Sequence, residues 1–116
     1  MKKVLRAAAA AMGVFAVTMS APLQAQDKPT IKIVYTDPFS GAFAQVGDAN
    51  LKQLQYVLSY INATGGALGR KFEIGRFDSK TQPAEALLAL KAATDMNAPF
   101  LMHCSGSNIG AALIEA

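Results

Sequence analysis

One cysteine, Cys104, and one histidine, His103, are all that this 116-residue chain carries of either kind. A zinc site draws on about four such ligands, and a Cys-His nucleophile needs an orienting partner, so this adjacent pair supplies neither by itself. At the end of a strand, neighbouring side chains point to opposite faces. His103 is therefore read as a hydrogen-bonded structural residue, and Cys104 as a small buried thiol or a partner for a cysteine elsewhere. No cysteine lies near residue 25, which leaves no attachment point for a lipoprotein anchor. The nucleophile elbow G-x-S-x-G is missing too, because Gly106, Ser107 and Gly110 give G-S-x-x-G. Gly65, Gly66 and Gly69 follow a helical pattern rather than a strand, so they form no dinucleotide loop. The chain is expected not to be an enzyme and to hold no metal or cofactor.

Long hydrophobic runs are scarce as well. The one candidate runs from Ala7 to Met19, is rich in alanine, follows Lys2, Lys3 and Arg6, and leads into the small residues around Ser20–Ala25. Pro22, Gln24 and Gln26 interrupt it, and it is poor in strongly apolar residues for a membrane helix of about 20 of them. It reads as a secretory signal peptide, residues 1–25, cut after Ala25. Its removal takes three of the eleven basic residues and leaves eight against eight acidic ones. The formal charge of +3 thus belongs to the leader, and the neutral remainder gives no reason to expect a nucleic-acid partner. The 91 residues that remain fall below the usual domain size of about 100–150, and the terminal NIGAALIEA has no glycine or asparagine stop. A piece of a larger protein is expected.

Within residues 26–116 the punctuation is regular. Ile31, Ile33, Val34 and Tyr35, bounded by Pro29 and Pro38, predict a buried strand over Thr30–Asp37. Leu51, Leu54, Leu58 and Ile61 recur at three- and four-residue steps and predict a helix from Asp48 to Ala63, stopped at Gly65. Lys71–Phe77 reads as a less buried strand near a sheet edge. Pro83 opens a second helix reaching Asp95, with Glu85 complementing the dipole and Ala84, Leu87, Leu88 and Leu90 as its apolar support. Phe100–His103 is a short third strand, and a last helix opens near Ser107. Strands alternating with helices predict an α/β fold with a parallel sheet and right-handed crossovers, and strand order 2-1-3 is expected. Ligands of such sheets lie beyond the carboxyl ends of the strands where the order reverses. The loops Pro38–Gly47 and Cys104–Asn108 meet there.

The combination of IKIVYTDPFSG, the GG-x-x-GRK turn at Gly65–Lys71 and FD-x-x-x-x-P from Phe77 to Pro83 resembles the periplasmic substrate-binding proteins of branched-chain amino acid ABC transporters, the type I periplasmic-binding fold. The resemblance covers Ile31–Ala116. It implies a signal peptide followed by a truncated first half of the N-terminal ligand-binding lobe at residues 26–116. Three departures stand out: Gln82 where Asp or Asn is commoner, Val46 where an aromatic residue often precedes the Gly-Asp pair, and Gly106 where members carry a side chain.

Hydroxyls and free amides at a helix entrance suit an anion, so Ser105, Gly106, Ser107 and Asn108 are candidate contacts for a ligand carboxylate; either serine can instead cap its own helix. The resemblance implies that hydroxyls and amides of this loop bind the α-carboxylate and α-amine of an amino acid. Phe39, Ser40 and Phe43 are the candidates from the first loop, each phenylalanine being either a wall for an apolar ligand group or packing under the loop. Asp78 is read as solvated or helix-capping. The implied function is a monomeric periplasmic receptor that captures an amino acid or related carboxylate or amide and delivers it to a membrane ABC permease. A sensor on the same fold, coupled to signalling, is the alternative, and a secreted hydrolase would require a Ser-His-acid set.

Overall fold

The computed structural model describes residues 28–116, so the expected signal peptide at residues 1–25 lies outside the described residues. Strand β1 is Ile31–Asp37, strand β2 is Phe72–Asp78 and strand β3 is Phe100–His103. All pair in parallel in the order β2-β1-β3, with Val34 flanked by Gly75 and Leu101. The α/β fold and the predicted strand order are therefore present, and β3 has the predicted bounds.

Helix α1 (Ala44–Ala63) covers one face of the sheet; helices α2 (Pro83–Asp95) and α3 (Ser107–Glu115) cover the other. Alternation along the strands decides which residue meets which helix. Tyr35, Ile74 and Met102 face α1, whose Leu51 and Leu58 are buried. Val34, Phe77 and Leu101 form the opposite core with α2. Near its end α1 also serves β2 directly. The Asn62 amide donates to the Phe72 carbonyl at 2.9 Å and accepts the Phe72 N–H at 2.7 Å, imitating a strand neighbour at the start of β2.

The predicted stop at Gly65 is a Schellman turn: the Gly65 N–H reaches the Asn62 carbonyl and the Gly66 N–H the Ile61 carbonyl. Gly66 has φ of +71°, and a Cβ there would lie 2.0 Å from the Arg70 carbonyl oxygen, so both conformation and space demand glycine.

Two expectations are corrected. Helix α1 starts at Ala44 rather than Asp48, because a short 3₁₀ turn at Gly41–Phe43 feeds straight into it. Gly47 is a helical residue pressed against the Pro38 carbonyl, not a loop residue, and its lack of a side chain answers a close approach rather than a turn. In α2 the buried stripe is Ala86, Ala89 and Ala93, whereas Leu88 is 62% exposed and Leu87 38%. Small residues let the helix axis approach Val34 closely, so the alanines pack and most of the leucines are displaced to the rim.

Candidate functional site

Strand β1 is fully buried along its last residues, yet it ends in Thr36 and Asp37, both without exposed surface. A buried carboxylate must be hydrogen-bonded to be tolerated. Asp37 accepts three times: from the Tyr35 hydroxyl at 2.8 Å and the Asn50 amide at 3.1 Å through Oδ2, and from the Ser105 backbone N–H at 2.9 Å through Oδ1. The Asn50 amide also reaches the Ser105 hydroxyl at 3.3 Å. Burial, joined by hydrogen bonds with Cys104 and Asp37, pushes the Tyr35 pKa up, so the hydroxyl stays a neutral donor. One carboxylate thereby ties together β1, α1 and the loop after β3.

Its register neighbour Asp78, at the end of β2, does the same for the first loop. Asp78 Oδ1 accepts the Phe39 N–H at 2.8 Å and the Lys80 N–H at 2.9 Å. Partial burial acts to raise its pKa, but the Phe39 amide, the Ser40 hydroxyl, the Lys80 amide and the Lys80 charge together outweigh burial and hold it below the usual carboxylate range. Asp78 is thus neither freely solvated nor a helix cap, as the sequence suggested. It anchors a loop, and α2 begins at Gln82 with no side-chain cap.

Between the two anchored loops lies a cavity of about 430 Å³ lined by Pro38, Phe43, Val46, Thr81, Ser105, Gly106, Asn108 and Ile109. The order reversal between β1 and β3 places it where the topology predicts. Of the candidate residues, Phe43, Ser105, Gly106 and Asn108 line it. Ser107 is the first residue of α3 but is not part of the wall. Ser40 lies beside Asp78 instead. Phe39 turns away, under the Arg76 guanidinium at 4.0 Å and 6.0 Å from the Tyr35 ring, with Arg76 also paired to Asp48 at 3.3 Å. Val46, where an aromatic wall was lacking by sequence, still faces the cavity.

Neither serine caps α3. Its N-cap is Gly106, with φ of +98° and no side-chain cap, so no side chain satisfies the first amides of the helix. His103 is hydrogen-bonded to the Gly106 carbonyl at 3.1 Å, the structural role expected of it. Cys104 is exposed rather than buried, on the opposite side of β3 beside Tyr35. Amides and hydroxyls at the mouth can donate to an anionic oxygen, while Phe43, Val46, Pro38 and Ile109 offer apolar walls.

Sequence reading missed Asp37, Asn50 and Thr81. An acidic residue ending an otherwise apolar strand was the available signal for Asp37. Thr81 reaches the cavity because Lys80 and Thr81 take positive φ, 48° and 59°, in a turn closed by the Gln82 N–H on the Ser79 carbonyl. That conformation is unusual for a β-branched residue, and no glycine marked it. Among the described residues no group of three or more His, Cys, Asp or Glu is gathered for a metal, and no helix is long and apolar enough to cross a membrane.

The periplasmic binding protein family model matches residues 30–116. The chain is similar to the branched-chain amino acid transporter substrate-binding protein of Streptococcus pneumoniae, solved with isoleucine: 31% identity, TM-score 0.67, covering 74% of this chain and 25% of that one. The leucine-, isoleucine-, valine-, threonine- and alanine-binding protein of Brucella ovis, in its closed conformation, gives 29% identity and TM-score 0.68 over 74% of this chain and 22% of that one. A fatty acid ABC transporter substrate-binding protein of Thermomonospora curvata gives 25% and 0.63 over 75% and 22%. The chain thus spans about a quarter of the length of these structures. No curated protein sequence matches it.

Proposed function

Since the chain belongs to the periplasmic binding protein family, we propose that it forms the first half of the N-terminal lobe of a two-lobed periplasmic receptor, which captures a small organic solute and hands it to a membrane ABC permease. The observation that carries this reading is the cavity at the β1/β3 switch point, bounded by loops that strand-end carboxylates hold in place. Its volume lies within the range of small-molecule sites, about 300–1,000 Å³. A catalytic set is not needed for capture and release, and the solute leaves unchanged.

The lining also bears on ligand chemistry. None of its eight residues carries a charge. A carboxylate is met by the Ser105 hydroxyl, the Asn108 side chain and the amides entering α3; its apolar group lies against Phe43 and Val46. An α-ammonium finds no counter-charge in this wall and takes it from the facing lobe. Amino acids and simple apolar carboxylates therefore both suit this half of the site, in keeping with relatives named for branched-chain amino acids and for fatty acids. Closure of the second lobe excludes water and strengthens these hydrogen bonds. The receptor works as a monomer outside the cytoplasmic membrane, after removal of residues 1–25.

Calorimetry on the complete two-lobed receptor with isoleucine, leucine, octanoate and benzoate tests the reading. Replacing both Ser105 and Ser107 by alanine is expected to weaken the bound solute by roughly ten- to a hundredfold, the loss of one hydrogen bond to a charged group. Undiminished affinity in that double variant overturns the site, and turnover of any of these compounds overturns the receptor.

A further inference from the structure

The cavity wall does not hold its own shape. Ser105 itself is held across the fold by polar contacts to Asp37 and Asn50, 68 and 55 residues away in sequence. From this geometry we infer that Asp37 is a positioning residue: it fixes the Ser105 amide directly and the Ser105 hydroxyl through Asn50, and so holds the anion-accepting mouth ready before a ligand arrives. The assignment of the mouth rests on the function proposed above; the positioning role does not.

Donor and acceptor logic supports the role. Asp37 is without exposed surface, so it cannot itself meet a ligand. Its two oxygens face three donors, and each donor belongs to a different part of the fold: Tyr35 within β1, Asn50 on α1 and the Ser105 amide after β3. The Asn50 amide is shared between Asp37 Oδ2 and the Ser105 hydroxyl, which orients that hydroxyl's lone pair toward α1 and leaves its hydrogen free to be donated. A hydroxyl whose hydrogen is available suits a carboxylate, and a preset one loses less freedom when the ligand binds. Removing the carboxylate would take an acceptor from three buried or half-buried donors at once, whereas a carboxamide of the same size keeps the bond to the Ser105 amide. Its oxygen takes the Ser105 N–H, while its NH₂, standing where Oδ2 stood, donates to the Tyr35 hydroxyl and to a flipped Asn50 amide, so the amide of Ser105 stays held although its hydroxyl hydrogen now turns to Asn50.

Amide hydrogen exchange of the ligand-free receptor, followed by NMR, tests this without assuming any ligand. Asp37→Ala is expected to speed exchange of the Ser105 amide about tenfold more than that of Val34 in the same strand, the equivalent of one hydrogen bond to a charged group. Asp37→Asn is expected to stay within about threefold of the natural protein. Equal acceleration at Ser105 and Val34, or none at Ser105, overturns the inference, as does an Asp37→Asn receptor that behaves like Asp37→Ala. Should Asp37→Ala not fold, Asn50→Ala decides: it leaves the carboxylate bonded to the Ser105 amide, whose exchange relative to Val34 must then stay within about threefold of the natural protein, and faster exchange there overturns the inference by making Asn50 the holder of the loop. Calorimetry with isoleucine on the same variants separates the two readings. A receptor with this exchange pattern that binds no isoleucine keeps the positioning role and removes the amino acid as ligand; isoleucine binding with an unaltered Ser105 amide in Asp37→Ala does the reverse.

Discussion

Replacing Gly47 by alanine sets two ordinary rules against each other. Gly47 has helical geometry inside α1, where alanine is normally better by about 1 kcal/mol, so helix propensity alone predicts a gain. The new methyl, however, would stand 1.9 Å from the Pro38 carbonyl oxygen and 2.8 Å from its carbon, where ordinary contact begins at 3.4 Å. The obstacle is backbone and cannot swing aside. With α1 held in place, the Pro38–Phe39 peptide must move by roughly 1.5 Å, from 1.9 Å out to 3.4 Å. Such a shift breaks the 2.8 Å bond from the Phe39 N–H to Asp78. Overpacking costs about 1–3 kcal/mol and the lost bond to a carboxylate about 1.5–3, so after the propensity gain the net destabilisation is about 1.5–5 kcal/mol. Urea unfolding of the receptor, followed by circular dichroism, measures it. Pro38 and Val46 flank the clash and line the cavity, so the bound solute weakens in the same variant. An alanine variant more stable than the natural protein would refute the reasoning, because propensity would then have outweighed contact.

Three further outcomes follow from the same packing. Ala89→Leu is expected to lose about 1–3 kcal/mol in urea unfolding, while Leu88→Gln, one position along and facing solvent, stays within about 0.5 kcal/mol; the opposite ranking would mean that the leucines pack. Gln82 has extended geometry at φ −112° and ψ 124° with Glu85 three residues on, so Gln82→Asp is expected to supply the missing cap and add about 1 kcal/mol, read as a higher melting temperature. Because the Asp78 pKa is depressed in the folded state, its tethering contributes stability above the ordinary carboxylate pKa of about 4, and that contribution is lost as pH falls through the lower folded value. An Asp78→Asn variant should therefore be less stable than the natural protein at neutral pH, with the difference shrinking below about pH 4; a constant difference across that window would remove Asp78 from the account.

How much of this was legible in the sequence depends on how local each cause is. Strand β3, the start of α3 at Ser107 and the stop at Gly65 are written in short runs and turn residues, and they stand as read. Alternation of strand and helix makes the sheet parallel, but by itself it does not set the strand order. Helix α1 was read four residues too short because a glycine that serves a close approach looks the same in sequence as one that breaks a helix. The α2 stripe was misread because leucine carries more weight than alanine in a hydrophobic pattern, while the distance to Val34 favours the smaller residue. Phe39 and Phe43 are equivalent in sequence, and it is Arg76 on β2, with the Tyr35 ring and Asp78, that draws Phe39 away. Asp37 and Ser105 lie too far apart along the chain for any local pattern to pair them.

The carboxylates that tether the cavity stand at strand ends, and each takes hold of a neighbouring loop through its backbone amides rather than through a side chain that faces the cavity. Holding and choosing are thus assigned to separate residues. Phe43, Val46 and Asn108 can be exchanged to suit a different solute without loosening the frame, so a change of preference within this architecture needs only a few substitutions at the wall.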